Sequence, residues 1–253
     1  RVLFRSGAQG EAAIGESSVH YLLSKEAARE IHDFEPKARI VAMVRNPVDV
    51  MYSMHSQGLY MGNEEVEDFE TALSLEEERA AGRKLPEKHF IMEGLLYRRA
   101  VRFAQHLERY FTVFPREHVH VIVFDDFKAD TAAAYRDTVE FLGVSASFEP
   151  DFRVVNANKR VRSRLVQNLI YKTRWASSYR VQRMIPEKLR ALFRRLNSVE
   201  TPRERMDPAL RRHLQEEFLP EMERLSDLLG RDLTHWCRTD GEGGGHRAAD
   251  GAA

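Results

Sequence analysis

Short apolar runs alternate with amphipathic stretches along this chain. Arg39 to Val44 and Val119 to Phe124 are runs rich in β-branched residues, with no polar alternation. That pattern predicts parallel strands covered on both faces. Ala13 to Ser18 reads as a weaker third strand. Helical periods lie between them. Lys25 to Ile31 is short and amphipathic. Pro47 to His55 opens with Asn46 as its N-cap and Pro47 at the first helical position. His89 to Tyr110 reads as one long helix with Leu96, Val101, Phe103, Ala104 and Leu107 on its apolar positions. Thr131 to Leu142 starts after Asp130 and stops at Gly143. Beyond Phe152 the pattern is mainly helical: Leu165 to Tyr171, Glu187 to Leu196, and Pro208 to Leu229, ended by Gly230. Strands alternating with helices predict an α/β fold, a parallel sheet flanked by helices.

Composition narrows the class. The chain has 253 residues, 43% of them hydrophobic and 31% charged, in the range of a globular protein. Residues 1–240 are expected to form one domain, and the Gly- and Ala-rich end from Gly241 to Ala253 a disordered tail. Formal net charge is +0, so the chain as a whole is not built to bind polyanions. Charge is nonetheless uneven. Glu64 to Glu78 is acidic, and Arg153 to Arg195 is basic, with Glu187 as its one acid. The single cysteine, Cys237, excludes an internal disulfide. No apolar run reaches the length of a membrane span. The opening Arg1-Val2-Leu3-Phe4-Arg5 has no initiator Met and no signal pattern, and it reads as a cut within a longer protein. A cytoplasmic location is expected, with an upstream anchor left open.

The stretch from Ala38 to Ser53 carries the candidate chemistry. A buried strand delivers Arg45 at its C-terminal end, and a capped helix comes at once after it. Ligands of open α/β sheets bind beyond the carboxyl ends of the strands. A helix N-terminus there is expected to offer free N–H groups and a positive dipole end. Arg45 adds a planar fork of donors suited to phosphate, and Ser53 a hydroxyl on the second turn. The blander reading is a strand–turn–helix whose Arg caps a loop.

This stretch resembles the 3′-phosphate-binding segment of sulfotransferases that use PAPS (3′-phosphoadenosine-5′-phosphosulfate). In that family an apolar strand leads into Arg-(Asn or Asp)-Pro and a helix bearing Ser. Ile14 to Leu22 is similar to the family's Gly-Glu-Lys-Ser-Pro-x-Tyr-Leu strand. Asp68 to Leu73, Gly94 to Tyr97, Phe114 to Glu117 and Val123 to Asp130 look like bacterial members, and Asn156 to Arg164 like a basic loop that closes over the donor. The resemblance implies a P-loop-NTPase-like α/β fold. It also implies transfer of a sulfuryl group from PAPS to an acceptor hydroxyl or amine, on a polysaccharide, lipid or small molecule. Arg45 and Ser53 would hold the 3′-phosphate of PAPS or of its product PAP. Lys159, Arg160, Arg162 and Arg164 would close over it, as a run of like charge that packs loosely until an anion neutralises it. Glu16 and Ser17 would lie near the acceptor. No metal and no nucleic acid are implied.

The departures matter too. The family's phosphosulfate loop, Lys followed by Gly and Thr, has no match in Arg1 to Glu11, where Ser6 to Gly10 lacks the lysine. The first strand, that loop and the Glu that serves as base in heparan-sulfate-type members are therefore expected upstream, and the chain alone is expected not to transfer. Val19 stands where cytosolic members place a catalytic His. His20 is one residue on, on the opposite side of a regular strand. No catalytic residue is assigned.

Other features read as structure. His118 and His120 are expected to face solvent. Tyr52, Tyr97 and Tyr110 are expected in the core. His235 and Cys237 lack partners at zinc spacing, and Asp125-Asp126 reads as a pair for capping and loop hydrogen bonds rather than a magnesium site. Rival functions are a nucleotide-kinase-like phosphotransferase, which needs a Walker loop, and a nucleic-acid module on the basic stretch, against which net charge argues. A third, compatible with the enzyme, is weak membrane-surface contact through Tyr171 to Leu196.

Overall fold

The computed structural model describes residues 13–86, 92–152 and 204–238, and the backbone of 159–161 and 198–200. Strand β1 (Ile40–Val44) pairs in parallel with β2 (Val119–Val123), from Ile40 opposite Val119 to Val44 opposite Val123. The two strands therefore end side by side. Helix α1 (Ala27–Phe34) precedes β1, and α2 (Pro47–Met61) succeeds it. Short helices α3 (Phe69–Ser74), α4 (Glu76–Ala80) and α5 (Tyr97–Ala100) lead to α6 (Phe103–Val113). After β2 come α7 (Phe124–Ala129) and α8 (Thr131–Leu142). Helix α9 (Pro208–Leu229) and a 3₁₀ turn, Thr234–Cys237, close the described chain.

Ala42, Val44, Val48, Met51, Phe69, Tyr97, Leu107, Leu214, Phe218 and Trp236 share one core. It sits between β1, α2, α6 and α9, under the carboxyl end of the strands. The α/β class is as predicted, and so are the ends of α8 and α9, where Gly143 and Gly230 turn left-handed at φ 67° and 66°. Burial of β1 differs from expectation. Ala42 and Val44 are buried, but Val41 and Met43 on the alternate face are each 42% exposed.

Two elements are corrected. Ala13 to Ser18 is not a strand; it is irregular and exposed. The turn from Tyr21 to Leu23 is held by side chains of α6. The Tyr110 hydroxyl donates to the Tyr21 carbonyl at 2.8 Å, and Arg109 donates to that of Leu22 at 3.0 Å. Nor is His89 to Tyr110 one helix. Residues 87–91 lie outside the described residues, and from Met92 a 3₁₀ turn, α5 and α6 succeed one another. The breaks have a tertiary cause. Glu76 accepts the Arg98 N–H at 2.7 Å and Glu221 the Ala104 N–H at 2.9 Å. Distant carboxylates thus cap the second residue of each short helix and satisfy donors that a continuous helix would have used internally. Leu165 to Tyr171, Glu187 to Leu196 and the tail from Gly241 lie outside the described residues. No described helix is long and apolar enough to cross a membrane.

The α6 anchor carries a pH prediction. Arg109 only donates, so the His106 Nδ1 it meets at 2.9 Å is the lone-pair nitrogen. Nε2 then carries the hydrogen and donates to the Arg99 carbonyl at 2.8 Å. Burial first, then the Arg109 charge, push this imidazole down from 6.5 to about 4. Between those values the unfolded chain binds a proton that the folded chain refuses, so stability is lost as pH falls through that window. Glutamine can donate and accept at the same two places. In His106→Gln the drop in urea midpoint between about pH 7 and about pH 5 should be smaller than in the wild type. An equal drop would clear His106 of the effect.

Candidate functional site

The site is built where β1 and β2 end together. Asn46 leaves the strand direction, and its Oδ1 accepts the N–H groups of Val48 at 3.0 Å and Asp49 at 3.3 Å. Pro47 at the first helical position fits the turn. The cap corrects one expectation: the amides it takes at the mouth of α2 are not free for a ligand. Asp49, in the first turn, is also paired, with Arg211 at 2.6 Å. What the corner offers an anion is a side chain.

That side chain is Arg45. It is half-buried, and its guanidinium lies over the ring of Phe124, 4.5 Å from the centroid. The parallel register explains the meeting, since Arg45 and Phe124 are the first residues beyond paired Val44 and Val123. A guanidinium over a ring is held by the ring's electrostatics, which takes none of its N–H donors as a hydrogen bond to an oxygen would. Among the described residues no carboxylate pairs with Arg45, although Arg79, Arg98, Arg211, Arg224, Arg231 and Arg238 all have acidic partners. Phe124 was missed in the sequence. Its signal was an aromatic residue directly after a buried strand.

Ser53 is half-buried on α2, the helix that Arg45 introduces. Lys159 and Arg160 fall in β3 (Lys159–Val161), which pairs antiparallel with β4 (Ser198–Glu200) and whose backbone approaches α2. The centre of the expected loop is thus a strand in backbone, and the segment comes to the helix of Ser53. Arg162 and Arg164 lie outside the described residues. Glu16 and Ser17 are exposed; Glu16 accepts from the Tyr21 hydroxyl, and no contact joins it to Arg45.

The remaining candidates resolve as structure. The Trp236 indole N–H donates to Asp125 at 2.6 Å, and Asp126 binds Arg231. Among the described residues no cluster of His, Cys, Asp and Glu fits a metal. His120 does not face solvent freely: it stacks on Phe141 at 5.1 Å, and burial lowers its pKa. Cys237 is buried, which pushes its thiol up to about 11 and makes it a poor nucleophile. Tyr97 and Tyr110 are core residues, as expected.

Known proteins point the same way. A family model described as the sulfotransferase domain matches residues 23–226. Among solved structures, a sulfotransferase from Alicyclobacillus acidocaldarius superposes with a TM-score of 0.65 at 30% sequence identity, covering 92% of this chain and 70% of that one. No curated protein matches the sequence.

Proposed function

The chain belongs to the sulfotransferase family, and from that premise we propose that its donor is PAPS and that Arg45 holds the donor's 3′-phosphate. Arg45 carries the reading: a half-buried cation with no acidic partner among the described residues, held over the ring of Phe124 at the carboxyl end of a parallel strand pair. An arginine kept out of bulk water without a carboxylate is stabilised by a bound anion, and a phosphate matches its fork. Ser53 and the cations of Lys159 to Arg164 are proposed to complete the grip, with Glu16 and Ser17 on the acceptor side. In the reaction the acceptor oxygen or nitrogen attacks sulfur in line. The bond from sulfur to the 5′-phosphate oxygen breaks, PAP leaves with the electron pair, and the acceptor's proton passes to a base. The acceptor is a hydroxyl or amine of a carbohydrate, lipid or small molecule.

Calorimetry tests the donor assignment. Adenosine 3′,5′-bisphosphate should bind at least about tenfold more tightly than adenosine 5′-monophosphate, the scale of one charge-assisted contact to the extra phosphate. Equal affinities would end the PAPS reading and leave the family membership standing.

A further inference from the structure

Trp236 lies outside the residues matched by the family model, 23–226, yet it joins the two corners that make the anion site. Its backbone carbonyl accepts from Asn46 Nδ2 at 3.2 Å, across 190 residues of sequence. Its indole N–H donates to Asp125 Oδ2 at 2.6 Å. Asn46 is bonded covalently to Arg45, and Asp125 to Phe124, the ring on which Arg45 stacks. The contacts therefore close a ring: Arg45, Asn46, Trp236, Asp125, Phe124 and back to Arg45.

We propose that Trp236 is a positioning residue for donor recognition, a clamp that sets the guanidinium of Arg45 by fixing the β1–α2 and β2–α7 corners against each other. The inference rests on the proposed role of Arg45. Several features fit a clamp rather than packing alone. Trp236 is 4% exposed, and its ring shares the core with Val44 and Val48, so its position is tied to the strand ends. Gln215, itself buried, donates to the same Trp236 carbonyl at 3.2 Å and to that of Arg238 at 3.1 Å, which holds the 3₁₀ turn on α9. Asn46 is committed at both ends of its amide: the oxygen caps α2, and the nitrogen is spent on Trp236. A shift of the turn is thus passed directly to the residue after Arg45. Asp125, by contrast, is exposed; among the described residues it also meets His235, at 3.4 Å, and lies in the field of Arg231. Its bond to the indole ties the second corner to the first.

The geometry of one arginine should affect one phosphate. The readout is the ratio of two dissociation constants, adenosine 5′-monophosphate over adenosine 3′,5′-bisphosphate, measured by calorimetry on the 253-residue protein. Trp236→Phe keeps the ring and loses the N–H. It should lower the ratio about tenfold, the scale of a hydrogen bond to a charged group, while affinity for the monophosphate stays the same. Asp125→Ala breaks the same bond from the exposed side, where refolding around a lost ring is not an issue, and should lower the ratio alike. Asp125→Asn keeps an acceptor oxygen for the indole and should restore it. A purely structural role would weaken both nucleotides together and leave the ratio unmoved; that result, or an unchanged ratio in Asp125→Ala, overturns the clamp. A wild-type protein with no preference for the bisphosphate overturns the donor reading itself and takes the clamp with it.

Discussion

Replacing Arg79 by methionine is expected to cost roughly 3–5 kcal/mol of folding stability, the scale of breaking a buried ion pair from one side. The side chains of Arg79 and Glu64 are 1% and 0% exposed. The guanidinium reaches both Glu64 oxygens, at 2.7 and 2.8 Å, and the Tyr97 hydroxyl adds a third donor at 2.6 Å. The Val66 N–H adds a fourth, at 2.9 Å. Burial alone would raise the Glu64 pKa, but Arg79, Tyr97 and Val66 outweigh it and hold the carboxyl below its ordinary range. Its contribution is therefore present at neutral pH and lost as pH falls through that depressed value. Without Arg79 the balance reverses, because desolvation then has no cation to oppose it. The deficit of Arg79→Met, read from urea unfolding, should shrink on acidification as Glu64 takes a proton. Adding Glu64→Gln should recover part of it at neutral pH, since the amide oxygen still accepts from Tyr97 and no unpaired charge is left. A loss under about 1 kcal/mol in the single variant would mean that water reaches Glu64. The network matters to the site because it braces α2: a Cβ on Gly58 of that helix would stand 3.0 Å from the Glu64 Cβ.

Local chemistry made the start of α2, and both ends of α8 and α9, legible in the sequence; α2 runs past the expected His55 to Met61, where Gly62 caps it. Asn46-Pro47, Asp130 with Gly143, and Asp207-Pro208 with Gly230 set their ends through neighbouring atoms. Where a distant residue decides, the sequence misleads. The apolar period through Leu96, Val101 and Leu107 continues across breaks capped by Glu76 and Glu221, which no local pattern shows. Ala13 to Ser18 carries strand-like residues but has no partner strand among the described residues. The acidic run from Glu64 to Glu78 hides two buried carboxylates, Glu64 and Glu76, whose partners are Arg79 and, on another element, Arg98. The same division holds at the site. Arg45, Asn46 and Ser53 sit in one continuous motif. Phe124 and Trp236 join them only through the strand register and the packing of α9, so no spacing rule would have found them.

Arg45→Ala should weaken adenosine 3′,5′-bisphosphate by about ten- to 150-fold, or roughly 1.5–3 kcal/mol, the range for a hydrogen bond to a charged group. Affinity for adenosine 5′-monophosphate should be nearly unchanged, because the side chain is assigned to the 3′-phosphate alone. The fold should tolerate the change. Arg45 has no carboxylate partner among the described residues, so its removal leaves no buried charge, and the lost stacking on Phe124 costs about 0.5–1 kcal/mol at such a half-exposed place. Arg45→Lys separates charge from shape. It keeps the cation but loses the planar fork and its fit to the ring, so it should fall between wild type and alanine rather than match the wild type. Raising salt should narrow the gap between wild type and alanine, as screening weakens a partly exposed contact between charges. If the bisphosphate bound Arg45→Ala as tightly as the wild type, with the protein still folded, the unpaired guanidinium would be a surface arginine resting on an aromatic ring. The 3′-phosphate would then have to be held by other groups, the proposed Ser53 and the cations of Lys159 to Arg164 among them.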